Sequence, residues 1–177
     1  MKRNLYLWQF AGFVMTVLGG TILHFLYGLT KESVLVAPFS AVNESIWEHM
    51  KLMYFPLFVF ALIQSRFFRE YNRFWCIKLI GIITGLVLIP VLFYTYNGAF
   101  GKSPDWLNMT IFFLSAAIVF ILETLLFKQD SLHCRFHWIP FAVIYFIGVL
   151  FILFTFITPK IPVFQNPLTG LYGLQKL

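Results

Sequence analysis

Apolar positions fall along this chain in five long runs, and polar residues collect between them. The runs cover about residues 7–28, 46–68, 75–96, 106–127 and 139–158. Each is close to the roughly 20 apolar residues that a helix needs to cross a bilayer, and none alternates as the strands of a membrane barrel do. The pattern predicts an all-α, polytopic transmembrane helix bundle of about five spans, forming one membrane domain over residues 1–177. Between the first two spans, about residues 30–45 are too short and too interrupted by Pro and Ser to cross; they are expected at the interface or over the mouth of the bundle. The Pro- and Gly-rich stretch of residues 159–177 is expected to rest on the interface or to fold against the helices.

Helix-forming detail is written inside the runs. Gly12, Thr16, Gly20 and His24 recur every four residues and so share one face, a slim stripe that permits close approach of another helix. Gly81 and Gly85 give the third span a similar face. Ser45 and Glu48 form an S-x-x-E capping box at the start of the second span. Pro56 and Pro90 interrupt hydrogen-bond ladders, and Pro140 suits a first turn.

Composition agrees with a membrane protein: 60% of residues are hydrophobic, 11% are charged and 23 are Phe. The net charge of +6 does not point to nucleic acid, because the basic residues flank the spans. Arg66, Arg69, Arg73 and Arg135 lie in short connections at the same set of alternate ends as Lys2 and Arg3. By the positive-inside bias that end is cytoplasmic, with the amino terminus. Lys2 and Arg3 before an apolar run resemble a signal peptide, but without a convincing cleavage site a retained first span is expected. Two cysteines, Cys76 and Cys134, make no disulfide framework and map to the cytoplasmic side, where reduced thiols are expected.

The densest polar stretch is Asn43-Glu-Ser-Ile-Trp-Glu-His49, carried into the mouth of the second span, with His24 at the same membrane face. Two histidines and one or two carboxylates are a ligand set for zinc or another divalent metal: His24, Glu44, Glu48 and His49. Metal-bound water would then be a nucleophile near neutral pH. Without metal, His49 as a base could activate Ser45 or a water while Glu48 orients its ring, which makes Ser45, Glu48 and His49 the candidate catalytic set. Asn43 and Glu44 are candidate ligand-binding residues. The structural alternative is equally concrete: Glu48 caps the helix, and both glutamates favour its amino-terminal end electrostatically.

Apart from Glu48 at the mouth of the second span, Glu123 is the only acid inside a predicted span, and it also counts as a candidate ligand-binding residue. A carboxylate at that depth needs neutralising, so it is expected to meet Lys78, Lys128 or a histidine. His133, Cys134 and His137, with Cys76, form a second candidate cluster near it. His-x-x-x-His here lacks the glutamate of a metalloprotease motif. Asn43-Glu-Ser and Asn108-Met-Thr match the glycosylation pattern and matter only in a eukaryotic secretory membrane.

The run from Pro38 to Pro56 (PFSAVNESIWEHMKLMYFP), with Tyr94-x-Tyr-Asn-Gly98 and the stretch from Pro162 to Gly173, resembles a family of small bacterial integral membrane proteins of uncharacterised function. The likeness spans nearly the whole chain. It implies a multi-pass protein of the bacterial cytoplasmic membrane and transfers no catalytic role. The chain also bears comparison with membrane-embedded metal hydrolases of the alkaline ceramidase type, but it is short for that family. It also lacks an intramembrane Asp and paired histidines deep in a late span.

Three functions therefore stand open. The first is a polar cap at the outer face that binds an ion, a lipid headgroup or a partner. The second is a membrane-embedded metal-dependent hydrolase using His24, Glu44, Glu48 and His49. The third is a small transporter acting as an oligomer. Expected partners are membrane lipids, a second copy or another membrane protein, and not nucleic acid.

Overall fold

The computed structural model describes residues 2–68, 71–129, 132, 134–136 and 138–174. Five helices follow one another: α1 (Lys2–Leu29), α2 (Ile46–Ser65), α3 (Phe74–Phe100), α4 (Asp105–Lys128) and α5 (Trp138–Phe156). Each is long and apolar enough to cross a membrane, as the five apolar runs predict. α2 and α3 continue through Pro56 and Pro90. A 3-10 turn, Pro162–Phe164, follows α5.

α2 is the axis of the bundle. Of its span 56% is buried inside the protein, against 17% for α1, and it touches each of the other four helices. α1 packs on α2 and α4, and α5 packs on α3 and α2. Small residues set the close approaches. A methyl group on Gly12 would run into the rings of Phe60 and Phe120, and one on Gly85 into Met53 and Val119. The core that results is Met53, Leu57, Phe60, Ile82, Val119 and Phe120, with Tyr54 donating its hydroxyl proton to the Ile144 carbonyl (2.6 Å). Between α1, α2 and α5 the packing leaves an apolar groove of about 570 Å³, whose walls include Gly19, Phe39, Val59 and Tyr145.

One connection differs from expectation, and the tail takes one of its two expected places. Cys76 and Cys134 are not free thiols but a disulfide, with Cα atoms 6.3 Å apart, joining the first turn of α3 to the connection before α5. Fifty-eight residues separate the two in sequence, and only the return of the α4–α5 connection over α3 brings them together. The tail, as far as it is described, folds against the helices. Trp47 stacks on Phe164 (ring centroids 4.5 Å apart) and lies against Phe151 and Phe154.

Candidate functional site

Two ends of the bundle carry its polar side chains: the end with the amino terminus, and the far end, where α1 finishes and α2 begins. At the far end the chain reverses through Lys31 and Glu32, both left-handed (φ 52° and 59°). For residues other than glycine that conformation costs about 1–3 kcal/mol each, so the reversal must be held by contacts further on.

Ser40 supplies the first. Its hydroxyl accepts from the Tyr27 N–H (2.9 Å) and donates to the Leu23 carbonyl (2.5 Å). These are donor and acceptor of one turn of the α1 ladder, so a side chain from the returning segment is inserted into the helix beside His24. The Ala41 N–H also reaches the Leu23 carbonyl (3.4 Å).

Glu48 and Lys51 supply the second. Their ion pair is 2.6 Å long and buried, with the side chains 4% and 0% exposed. The same Glu48 oxygen accepts from the Val42 N–H (3.0 Å). Lys51 Nζ donates to the Ala37 carbonyl (2.9 Å) and to the Thr155 hydroxyl (3.1 Å). One charge pair thus ties the returning segment, α2 and α5 together.

The capping box is half formed. Ser45 Oγ accepts from the Glu48 N–H (3.4 Å), but the Glu48 carboxylate, held by Lys51, does not reciprocate. Asn43 takes that place, its Oδ1 accepting from the Ser45 N–H (2.8 Å), while its amide donates to the Gly173 carbonyl of the tail (3.0 Å).

With the backbone so fixed, Glu44 projects between two imidazoles. Glu44 Oε1 lies 3.9 Å from His24 Nε2, and Oε2 lies 3.6 Å from His49 Nε2. One ligand atom from each of the three residues falls within 4.8 Å of the others. The side chains are 30% (His24), 43% (Glu44) and 20% (His49) exposed, so solvent reaches the group. Glu48, expected in the same set, points elsewhere. Ser45 Oγ is engaged by the helix end, and His49 meets the Ser45 carbonyl and not its hydroxyl.

That last contact fixes the chemistry of His49. Nδ1 lies 2.9 Å from a carbonyl oxygen, which can only accept, so Nδ1 carries the proton. In the neutral ring Nε2 then offers a lone pair, and it faces a carboxylate oxygen 3.6 Å away. Two acceptors face each other across a gap that asks for a positive species, a proton or a cation. A histidine whose other nitrogen donates to a carbonyl is also the usual state of a metal ligand.

At the amino-terminal end Glu123 and Lys78 form a second buried ion pair, 2.6 Å long. Lys78 is one of the three partners expected for Glu123. His133 and His137 lie outside the described residues, and Cys134 and Cys76 are consumed by the disulfide. Along α2 no polar line joins the two ends, since between Lys51 and Gln64 its buried residues are apolar apart from Tyr54, whose hydroxyl is committed.

A family model matches residues 1–174. The chain belongs to DUF6512, a family of unknown function. No curated protein and no solved structure matches it. Membership in this family agrees with the expected likeness to a family of uncharacterised function over nearly the whole chain, and brings no activity with it.

Residue types alone missed three parts of this arrangement. Lys51 carried a local signal, three residues after Glu48 on one helix face. Ser40 carried none, because its partners lie 13 and 17 residues back. Gln9, beside the second ion pair, and Gln64, buried near the same end of α2, look unremarkable within apolar runs.

Proposed function

We propose that this multi-pass membrane protein binds a divalent cation at the far end of its bundle, through His24, Glu44 and His49. The observation that carries the reading is the lone pair of His49 Nε2 set against the Glu44 carboxylate, with His24 Nε2 on the other carboxylate oxygen. Two imidazoles and one carboxylate suit zinc, and three protein ligands leave a position for water. Ligand atoms on one zinc stand roughly 3.3 Å apart, as bonds of about 2.0–2.1 Å in a tetrahedron require. The trio, spread over up to 4.8 Å, would have to close by up to about 1.5 Å, a shift within reach of side-chain rotation.

The arginines at the opposite end support an orientation with this site outside the cytoplasmic membrane of a bacterium. Hydrolysis by a metal-bound water is a weaker reading. The carboxylate best placed to serve it, Glu48, is bound to Lys51, and none of the trio lines the apolar groove. Transport is not favoured by the apolar middle of α2.

The test is titration of purified, chelator-treated protein with Zn²⁺ by calorimetry, with metal analysis of protein purified without chelator. One ion per chain is expected, with affinity falling at least tenfold in Glu44→Ala and in His49→Ala and unchanged in Glu32→Gln. No measurable binding to the parent, or full affinity in Glu44→Ala, would overturn the proposal. In that case a shared proton fills the gap.

A further inference from the structure

The second ion pair belongs to a layer contributed by four helices. Gln9 of α1, Gln64 of α2, Lys78 of α3 and Glu123 of α4 are each at most 4% exposed. Lys78 Nζ lies 5.3 Å from the Phe60 ring, 5.7 Å from Phe74, 5.8 Å from Phe120 and 5.9 Å from Phe127. Gln64 stands on α2 between Phe60 and Phe68, and Glu123 on α4 between Phe120 and Phe127. On α1, Gln9 stands between Gly12, which abuts Phe60 and Phe120, and Leu5, which packs with Phe68, Phe74 and Phe127. One floor of phenylalanines therefore closes the layer toward the far end and another toward the amino-terminal end.

Within the layer hydrogen bonding is incomplete. Lys78 Nζ gives one bond, to Glu123 Oε2 (2.6 Å). Among the described residues, Glu123 Oε1 and both amide atoms of Gln9 and of Gln64 have no hydrogen-bond partner. The Gln9 amide lies beside the Glu123 carboxyl without bonding geometry. Glu123 Oε1 fills the space over Gly81, where a Cβ would come within 2.6 Å of it. Glycine at that position leaves room for the carboxylate.

Unmet donors (two amide NH₂ groups and the remaining ammonium protons) stand with unmet acceptors (two amide carbonyls and Oε1). Buried groups of both kinds need a guest that both donates and accepts. A cation meets Lys78, an anion meets Glu123, and an apolar guest satisfies neither. Water is the small molecule of the required class, and buried polar groups that the protein leaves unmet are where it binds. We propose that Gln9, Gln64, Lys78 and Glu123 enclose a binding site for water within the hydrocarbon depth of the protein, sealed at both ends by aromatic rings. Bound water there solvates a charge pair that lipid cannot, and gives its protons a path of exchange.

Water-edited solid-state NMR on the full, isotope-labelled chain in phosphatidylcholine–phosphatidylglycerol vesicles tests this. Chelator in the sample keeps the cation site out of the measurement, so the two proposals fail separately. The side-chain amides of Gln9 and Gln64 and the ammonium of Lys78 should receive magnetisation from water several-fold faster than the Phe60 and Phe120 rings. Transfer as slow as to those rings would overturn the proposal. In Gln9→Leu/Gln64→Leu, transfer to Lys78 should slow several-fold, and an unchanged rate would also overturn it. Should that variant fail to fold, the wild-type comparison with the rings decides alone.

Discussion

The two buried ion pairs have the same length, 2.6 Å, and nearly the same burial, yet they are opposite kinds of structure. Glu48 and Lys51 are three residues apart, and the backbone and a hydroxyl complete their hydrogen bonds through Val42, Ala37 and Thr155. Lys78 and Glu123 are 45 residues apart in sequence, bonded to each other through a single oxygen and otherwise facing phenyl rings and orphaned amides. Desolvating a charge pair is repaid only where the remaining lone pairs and protons find partners. The first pair meets that condition with protein groups and works as a clamp on the returning segment. The second does not meet it with protein groups, and in the proposal above water completes it.

The largest effects should come from replacing one partner at a time. Lys51→Met and Glu123→Leu each leave an unpaired buried charge and should cost about 3–5 kcal/mol, read as denaturant unfolding in mixed micelles followed by circular dichroism. The double replacements separate the two regions. Lys78→Met/Glu123→Leu should recover to within about 1 kcal/mol of the parent, because the pair is bonded to little beyond itself. Glu48→Leu/Lys51→Met should stay about 2 kcal/mol or more below it, since the Val42 N–H and the Ala37 carbonyl lose their partners. Equal recovery in both doubles would erase the distinction.

Ser40→Ala should have a smaller effect at the clamped end. It deletes the hydroxyl that bridges Tyr27 and Leu23, but these two backbone groups are placed to bond each other directly in an α-helix. The cost should be about 1 kcal/mol, with faster proteolysis between residues 33 and 45. No change in either measurement would mean that the Glu48–Lys51 clamp alone holds the segment.

How much of this was legible beforehand follows the range of each interaction. The five helices could be read because hydrocarbon imposes one rule on every residue of a span. The meeting of His24 with Glu44 and His49 was within reach, since alternating spans put those residues at one face and α2 starts there. The fate of Glu48 was not: its partner Lys51 is fixed by the carbonyl of Ala37 and by Thr155, 104 residues along. A carboxylate's competing partners are set by tertiary structure, and a four-residue spacing cannot rank them. The cysteines show the same limit. Their compartment could be argued from flanking arginines, but their proximity depended on a connection of no regular pattern.

The smallest expected change in stability belongs to the residue expected to matter most for the cation. Glu44 is 43% exposed, and its contacts with His24 and His49, at 3.9 Å and 3.6 Å, are too long to be hydrogen bonds. Exposed pairs of this kind contribute about 0–1 kcal/mol, so Glu44→Ala in chelator should unfold within about 0.5 kcal/mol of the parent. Adding Zn²⁺ should then stabilise the parent by an amount that grows with the logarithm of metal concentration, and leave the variant where it was. Together these outcomes would separate a residue placed for a ligand from residues placed for the fold. A large loss in the chelated state would instead show that Glu44 helps to hold the far end closed, as Glu48 does.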